Sequence, residues 1–566
     1  MGSDEKKLSH ADEKPISSDV EYGSVLPEYD QDGPLEFEEK KELKRGLNQR
    51  TIQMIALAGT IGTGLFLSSG KAISRAGPLG AFLGYTFVGF LCSGVVMSIS
   101  ELRYSVRPNT IGIHMLTYDS TLVPLSGGIT RHAEHFVDPA LSFANGWNQV
   151  YANLISVPAE LCAAAVLFEF WTSSVSNAVW IVVLGVCLVA SNIAFVRIYG
   201  ELEFGFATLK IMLIVGINIM ALVITCGGGP DHKSIGFQYW RKPGPFVEYL
   251  GYAGSLGHFM GFWTTFNNAV YAYSGIQNIS IAASETQNPR RNIPKAAKRI
   301  FVRVLLFYVL TIFMVGLVVP SNDPHLLKST GTASQSPFVI AATRAGIKVV
   351  PSIINAIILT SAWSSGNASM LAGSRILYGL AKEGRAPKIF TKTNRFGIPW
   401  VSVGLFSVFL CLAFLSLSSG ANVAFGWLQD LVAVAAIVDW MVICGVYLRF
   451  YYSMKKQNIS RSELPWAAPF QPYLAWISLC SFGILLLTGG YVSFLHGHWN
   501  VETFISSYFN IPLFLVLYFG YKIMFKTKII PLEALPIRHF IDIANANPEA
   551  PELPKVGWHK YNFLWE

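Results

Sequence analysis

The sequence predicts an all-α membrane protein with twelve transmembrane helices, and three observations support this fold class. Of its 566 residues, 52% are hydrophobic and only 14% are charged, with a mean hydropathy of +0.41, whereas soluble proteins carry about 25% charged residues. Twelve apolar runs are each long enough to cross the bilayer as a helix. The first and the sixth runs are interrupted near their middle by glycine and polar residues.

The loops between the predicted spans indicate their orientation. The spans lie near residues 51–70, 79–101, 141–168, 178–196, 206–226, 259–284, 300–320, 351–377, 400–418, 425–449, 473–495 and 504–525. The loops after the sixth and eighth spans are basic, with Arg290, Arg291, Lys382 and Arg385, whereas those after the third, ninth and eleventh contain no Lys or Arg. Because basic loops face the cytosol, we expect both termini there.

Two polar tails flank the predicted membrane domain, residues 47–525. Residues 1–46 combine low hydrophobicity with mixed charge, so we expect a disordered cytosolic tail and no cleaved signal peptide. Residues 526–566 are expected to form a peripheral cytosolic tail. The net charge of +8 then reflects orientation rather than a nucleic-acid partner, and the seven cysteines show no spacing typical of disulfides or a zinc site.

The first span contains a predicted helix break. Within residues 55–70, Gly59, Gly62 and Gly64 each cost roughly 0.5–1 kcal/mol of helix stability relative to alanine. A broken helix is tolerated in lipid only where its freed backbone groups face protein, water or a ligand. The amides of residues 60–64 would suit a carboxylate, since a helix N-terminus favours an anion. The alternative is close helix packing through small residues.

The sixth span contains a second predicted break, at residues 271–277, where Ser274, Gly275 and Gln277 interrupt the apolar run. Two glycine-broken spans at matching positions of two five-helix halves are typical of an inverted-repeat transporter with a binding site at the membrane midplane. The sequence therefore predicts that the first and sixth spans form one site.

Several motifs resemble those of fungal amino-acid permeases of the amino acid–polyamine–organocation superfamily. They are GLNQRTIQMIALAGTIGTGLF, RHAEHFVDPALSFANGWN, YGELEF, SETQNPRRNIPKA and SGNASMLAGSRILYGLAKEGRAPKIF. The resemblance implies a LeuT-like fold, with inverted repeats at about residues 51–226 and 259–449 and two additional helices within 473–525. It also implies import of amino acids across the plasma membrane by proton symport with alternating access, with the proton as coupling ion and no other cofactor.

The resemblance assigns the substrate site to both breaks. The carboxylate would be held by the backbone of Thr60, Ile61, Gly62, Thr63 and Gly64. The amino group would be held by backbone carbonyls near Tyr271, Ala272, Tyr273 and Ser274. Gln277 stands where many relatives have a glutamate, so a carboxylate gate is not expected there, although its amide could still form hydrogen bonds.

Ionisable groups inside membrane spans are costly and mark function by default, and Glu160, Lys210 and Asp439 are the candidates among them. Glu160 is expected to bind substrate or a proton, with a structural hydrogen-bonding role as the alternative. Lys210 matches the position where proton-coupled relatives carry a lysine in place of a sodium ion; a lysine snorkelling to the interface is the alternative. Asp439 matches no known role and is expected either to face the cavity or to pair with a polar neighbour.

Small polar residues of the eighth span could line the same cavity or pack helices together. They are Ser364, Ser365, Asn367 and Ser369. Residues 103–120 depart from the family pattern, and an unspliced intron in the gene model or a genuine cytosolic loop would explain them.

Other functions fit the sequence less well. It contains no P-loop and no intramembrane catalytic motif, so neither a primary pump nor an enzyme is expected. A channel would need a continuous polar pore rather than two broken helices. A permease-like nutrient receptor with little flux and a carrier of polyamine- or choline-type substrates stay as alternatives. Ubiquitin-ligase adaptors are the partners expected on the cytosolic tails.

Overall fold

The computed structural model describes residues 62–103, 129–172, 174–194, 196–230, 232–278, 307–327, 336–394, 397–419, 421–464 and 467–546. These residues form helices and no strand. Several predictions lie outside them: those for Thr60 and Ile61, for the N-terminal tail and for most of the inserted segment.

The helices follow one another along the chain with short connections. The first are α1 (Thr63–Phe66), α2 (Ser68–Arg103), α3 (Ile129–Phe136), α4 (Pro139–Phe168), α5 (Asn177–Ala194), α6 (Val196–Thr225), α7 (Gln238–Arg241) and α8 (Gly254–Tyr273). They are followed by α9 (Phe307–Val318), α10 (Pro324–Leu327), α11 (Pro337–Arg344), α12 (Val350–Lys382), α13 (Trp400–Phe409) and α14 (Leu415–Ser419). The last are α15 (Ala421–Lys456), α16 (Tyr473–Thr488), α17 (Val501–Tyr508), α18 (Asn510–Phe525) and α19 (Ile537–Ala546).

Five helical segments of the described chain are long and apolar enough to cross a membrane, and a sixth arises if α17 and α18, bent by 42°, count as one span. The five are Ser68–Leu102, Pro139–Phe168, Leu202–Thr225, Trp400–Ser418 and Val423–Lys456. Shorter apolar helices at Asn177–Ile193, Phe307–Val318 and Tyr473–Thr488 coincide with three more predicted spans. The total of twelve stays a prediction.

Apolar side chains cover the outer surface, as expected of a protein whose solvent is lipid. Val186 on α5, Met212 on α6 and Val516 on α18 are 63%, 64% and 68% exposed. A soluble protein of this size would bury such residues. The interior instead contains many buried polar residues, among them Asn145 and Glu160 on α4 and Asn355 and Ser364 on α12.

Helices α4 and α15 form the centre of the bundle, since most of their apolar windows are buried. Helix α4 packs against α12, α15 and α18, while α2 packs against α8. Helix α2 bends at Gly77, whose φ of 80° is left-handed. A Cβ atom there would lie 2.5 Å from the carbonyl oxygen of Pro245, so only glycine fits this bend.

The predicted break in the sixth span is confirmed. Helix α8 ends at Tyr273, Gly275 adopts a φ of 93°, and a 3₁₀ turn follows at Ile276–Asn278. On the first span, helix α1 begins at Thr63 after a non-helical Gly62. The start of α1 and the end of α8 therefore meet at the positions where the sequence predicts interruptions.

The C-terminal segment packs on one end of the bundle. The Ile530 amide donates to the carbonyl of Val137 at 2.9 Å. Gln457, at the end of α15, donates to the carbonyl of Leu535 at 2.8 Å. Ile537 on α19 is fully buried. The described part of this tail is thus a peripheral segment attached to the ends of α4 and α15.

Candidate functional site

A small cavity of about 60 Å³ lies where α1, α4, α8, α12 and α15 meet. Its lining combines glycines, small polar side chains and one carboxylate. The lining residues are Gly62, Gly64, Ala152, Asn153, Ser156, Glu160, Tyr271, Ala272, Ser274, Gly275, Gln277, Ser365, Ser369, Val432 and Ala436. The cavity therefore joins both predicted breaks to the middle of the third, eighth and tenth predicted spans.

Glu160 is the polar centre of this cavity and is 4% exposed. Its Oε2 accepts a hydrogen bond from the hydroxyl of Thr63 at 2.9 Å. Its Oε1 accepts from the hydroxyls of Ser365 at 3.0 Å and Tyr271 at 3.3 Å. One carboxylate thus links α1, α8 and α12, and any change in its charge changes the contacts of both broken helices.

Two glycines allow this close approach. A Cβ atom on Gly62 would lie 2.9 Å from Oε1 of Glu160 and 3.0 Å from the hydroxyl of Ser365. A Cβ atom on Gly64 would lie 2.6 Å from the Cα atom of Ala272. The first contact is with side chains that can move, whereas the second is with backbone. Gly64 therefore sets the distance between α1 and the end of α8.

Lys210 lies behind the cavity and has a carboxylate partner that the sequence analysis did not assign. It is 1% exposed, which is incompatible with an ammonium that snorkels into water. Its Nζ donates to the hydroxyl of Ser364 at 3.1 Å, and this hydroxyl contacts both carboxylate oxygens of Glu203 at 2.9 and 3.0 Å. Lys210 also interacts electrostatically with Glu160.

Glu203 could have been found from its spacing. It precedes Lys210 by seven residues on α6, which places both side chains on one face of the helix. The adjacent residues Ser364 and Ser365 contact Glu203 and Glu160 respectively. Helix α12 therefore connects the two buried carboxylates through consecutive hydroxyls.

Besides Thr63, whose hydroxyl binds Glu160, the structure places three predicted substrate-site residues away from the cavity lining. Ser364 contacts Lys210 and Glu203 instead. Asn367 accepts hydrogen bonds from Ser191 and Asn192 of α5, at 2.7 and 2.6 Å. The reason is helical periodicity: Ser365 and Ser369 are one turn apart and line the cavity, whereas Ser364 and Asn367 lie on other faces of α12.

Tyr273 is the third of these residues. It is 1% exposed, its hydroxyl donates to the carbonyl of Tyr85 at 3.3 Å, and its ring stacks on Tyr308 at 4.8 Å between centroids. Its side chain therefore anchors the end of α8 rather than facing the cavity.

The remaining residues of the second break have defined partners. The carbonyl of Tyr271 accepts from both the amide and the hydroxyl of Ser274, at 3.1 and 2.6 Å. Gln277 lines the cavity, and its Oε1 accepts from the indole of Trp440 at 3.1 Å. Gln277 thus forms hydrogen bonds as a neutral amide.

A hydrogen-bonded layer joins three helices on one side of the cavity. The hydroxyl of Ser68 donates to Oε1 of Gln429 at 2.6 Å, and Nε2 of Gln429 donates to Oδ1 of Asn268 at 2.9 Å. These residues belong to α2, α15 and α8, about one turn from Gly64, Val432 and Tyr271. No local sequence signal predicts this layer.

Asp439 lies outside the cavity lining and is paired with a polar neighbour, so the second of its two predicted environments is the observed one. It is 2% exposed, and Nε2 of Gln149 donates to its Oδ1 at 2.9 Å.

Comparison with known proteins gives consistent matches along most of the chain. A family model described as "Amino acid permease" matches residues 51–532. The proline-specific permease of Saccharomyces cerevisiae is 38% identical over 494 residues, covering 86% of this chain and 77% of the relative. The dicarboxylic amino acid permease of the same yeast is 35% identical over 518 residues, covering 90% of this chain and 82% of the relative.

A solved structure shows the same fold. The manganese transporter of Eremococcus coleocola superposes with a TM-score of 0.51 at 13% identity, covering 87% of this chain and 95% of the transporter. At this identity the likeness concerns the fold alone. Together with the all-helical architecture of the described residues, it confirms the predicted fold class, an all-α membrane protein of the LeuT-like type.

Proposed function

Because the chain belongs to the amino acid permease family and is an amino-acid transporter of the membrane, we propose that it imports amino acids across the plasma membrane by proton symport with alternating access. The observation that carries this proposal is Glu160, a buried carboxylate that contacts both broken helices through Thr63 and Tyr271. Family membership also implies a transporter rather than an enzyme.

The substrate would bind between the two breaks. Helix α1 begins at Thr63, and the first amides of a helix have no intrahelical partner, so they favour a carboxylate. Helix α8 ends at Tyr273, where the last carbonyls likewise lack helical partners and favour an ammonium group. The Tyr271 carbonyl already accepts two hydrogen bonds. We therefore assign the amino group to the carbonyls of Ala272 and the residues after it.

The side-chain preference follows from the charge of the cavity. Among the lining residues that the structure describes, Glu160 is the only carboxylate, and none is a lysine or arginine. An acidic substrate side chain would add a second negative charge beside Glu160 without a cation in the lining, which is costly at low dielectric. The neutral walls formed by Ala152, Val432 and Ala436 instead favour amino acids with small neutral side chains.

Proton coupling would work through Glu160 and the lysine behind it. As a carboxylate, Glu160 accepts three hydroxyl donors, from Thr63, Tyr271 and Ser365. A proton on Glu160 removes its charge and turns one acceptor into a donor, so at least one of these contacts must rearrange. Lys210 interacts electrostatically with both Glu203 and Glu160. Protonation at this group would thus alter the contacts between α1 and α8.

Alternating access would use the hydrogen-bonded layer described above. The Ser68–Gln429–Asn268 hydrogen bonds join α2, α15 and α8 on one side of the cavity. Opening on that side requires these hydrogen bonds to break. By the positive-inside rule that side is extracellular, because α15 ends in Lys455 and Lys456 on the opposite side.

The test is uptake of radiolabelled amino acids by permease-deficient cells that express this protein. The panel contains alanine, proline, aspartate, glutamate and lysine, because relatives carry the names of proline-specific, dicarboxylic and lysine-specific permeases. Uptake should rise at acidic pH and collapse with a protonophore, with alanine or proline preferred. Surface protein that transports nothing on the panel, or whose uptake ignores both pH and protonophore, would contradict the proposal.

Regulation by ubiquitin-ligase adaptors is part of the same proposal. The N-terminal tail carries Lys6, Lys7 and Lys14 among acidic residues. Replacing these three and the other lysines of residues 1–46, Lys40, Lys41 and Lys44, with arginine keeps the charge and removes the acceptors of this tail. Slower loss of the transporter from the plasma membrane would support the assignment, and unchanged turnover would contradict it.

A further inference from the structure

Asp439 is a second buried carboxylate beside the cavity but outside its lining. It lies three residues after Ala436, and its partner Gln149 lies three residues before Ala152; Ala436 and Ala152 both line the cavity. Because three residues are about one helical turn, the pair lies one turn further along both α15 and α4. This is the side on which α4 begins and α15 ends.

No cation compensates this carboxylate among the residues that the structure describes. The groups that act on Asp439 are the amides of Gln149 and Asn145. On its own helix the nearest charged residues, Asp430 and Arg449, are more than two turns away. Helix α16 carries no charged residue.

Charged residues on the other helices that pack against α15 have partners elsewhere or face outward. Lys71 and Arg75 interact with Asp430, Glu101 with Arg461, Glu134 with Arg385, Lys522 with Asp138 and Arg538 with Glu463. Glu160 accepts from Thr63 and Ser365, His132 stacks on Phe136 and His258 on Phe246, and Glu502 and Asp542 are exposed. Asp439 is therefore surrounded by neutral groups. A buried charge without a counter-ion is unfavourable in a membrane span.

Unused hydrogen-bonding atoms lie beside Asp439. Its Oδ2 has no hydrogen bond, and neither Oδ1 nor Nδ2 of Asn145 has one, although Asn145 is fully buried and faces the carboxylate. A proton on Oδ2 would turn this atom into a donor, for which the unused Oδ1 of Asn145 is an acceptor, while Oδ1 of Asp439 still accepts from Gln149. One proton thus removes the charge and satisfies two unused oxygens.

We propose that Asp439, Gln149 and Asn145 form a proton-binding site, separate from Glu160 and Lys210, in which Asp439 carries the proton. The step is simple protonation: a proton from water forms the O–H bond on Oδ2 and leaves again as a hydrated proton, without any redox change. The neutral acid holds α15 against α4, whereas the carboxylate attracts water into their contact. Its role in transport rests on the proposed proton symport, but the protonation itself does not.

Infrared difference spectroscopy on the full-length protein in lipid vesicles tests the site directly. Titration of the wild type should show the C=O stretch of a protonated carboxylic acid that Asp439→Asn lacks. The matched control is Asp323→Asn, which should keep the band. Asp323 is also 2% exposed but is bound to Arg344 at 2.7 Å. Burial raises the pKa of Asp323, but hydrogen bonds from His325 and Arg344 outweigh burial and hold this pKa below its ordinary value.

A second variant keeps the proposal testable if Asp439→Asn does not fold. Asn145→Ala removes the acceptor of the proposed O–H, so the same C=O band should shift to higher frequency. A spectrum in which neither substitution alters a carboxylic acid band would overturn the proposal.

Transport separates this inference from the proposed function. Asp439→Asn mimics the protonated acid, so exchange of labelled for unlabelled substrate should persist, while the ratio of net uptake at acidic to neutral pH should fall below that of the wild type. An unchanged ratio would overturn a coupling role for Asp439. If wild-type uptake itself ignores pH and protonophore, proton symport fails, whereas the infrared result still decides the protonation site.

Discussion

The contact between Gly64 and Ala272 predicts a large effect from a single methyl group. The Cβ atom of Gly64→Ala would lie 2.6 Å from the Cα atom and 3.0 Å from the backbone nitrogen of Ala272. Carbon atoms at optimal separation are about 3.5–4.0 Å apart, so α1 and the end of α8 must separate by about 1 Å. Both contacted atoms are backbone, so no side-chain rotation relieves the clash.

A displacement of this size lies at the centre of the proposed site. A misplacement of about 1 Å can cost roughly 100-fold in rate where geometry is critical, and overpacking costs about 1–3 kcal/mol of stability. We therefore expect Gly64→Ala to reduce the ratio of maximal uptake to KM by about 100-fold. Kinetics of labelled substrate uptake, normalised to the amount of transporter at the cell surface, measure this ratio.

Two glycine variants provide matched controls. Gly216→Ala on α6 places its Cβ atom where nothing lies within 4 Å, so uptake should match the wild type. The added methyl group of Gly62→Ala meets mainly movable side chains, Glu160 and Ser365. Its uptake efficiency should therefore lie between those of Gly64→Ala and Gly216→Ala. Normal KM and maximal uptake in Gly64→Ala at wild-type surface level would refute the proposed contact between α1 and α8.

Two further predictions concern the buried carboxylates. Ser365→Ala removes one of three hydroxyl donors to Glu160; since a hydrogen bond to a charged group contributes about 1.5–3 kcal/mol, we expect at least a roughly tenfold loss of transport efficiency. Ser369→Ala, on the same face of α12, should lose less, and equal losses in uptake kinetics would contradict the role of Ser365. Glu203→Gln removes a negative charge beside Lys210. Because this loss disfavours the protonated form of Lys210, half-maximal uptake should require a lower pH. Glu203→Asp should largely restore the wild-type pH profile, and a Gln variant with that same profile would exclude Glu203 from proton coupling.

Local sequence properties were enough to predict that this protein lies in a lipid bilayer and where its helices break. Hydropathy depends on composition within a window, so apolar segments such as Pro139–Phe168 and Val423–Lys456 coincide with predicted spans. Glycine weakens a helix wherever it stands, and the sixth span does break after Tyr273. An ionisable residue in an apolar run is conspicuous without any structure, as Glu160 was.

The direction in which each side chain faces was decided only by the tertiary structure. The sequence does not distinguish Ser364 from Ser365, because both interior faces of α12 are polar. The neighbouring helices determine which of these faces meets the cavity. Gln429 carries no local signal, since its importance comes from Ser68 and Asn268, which are far away in sequence. Periodicity specifies which residues share a face of a helix, whereas only packing specifies what that face contacts.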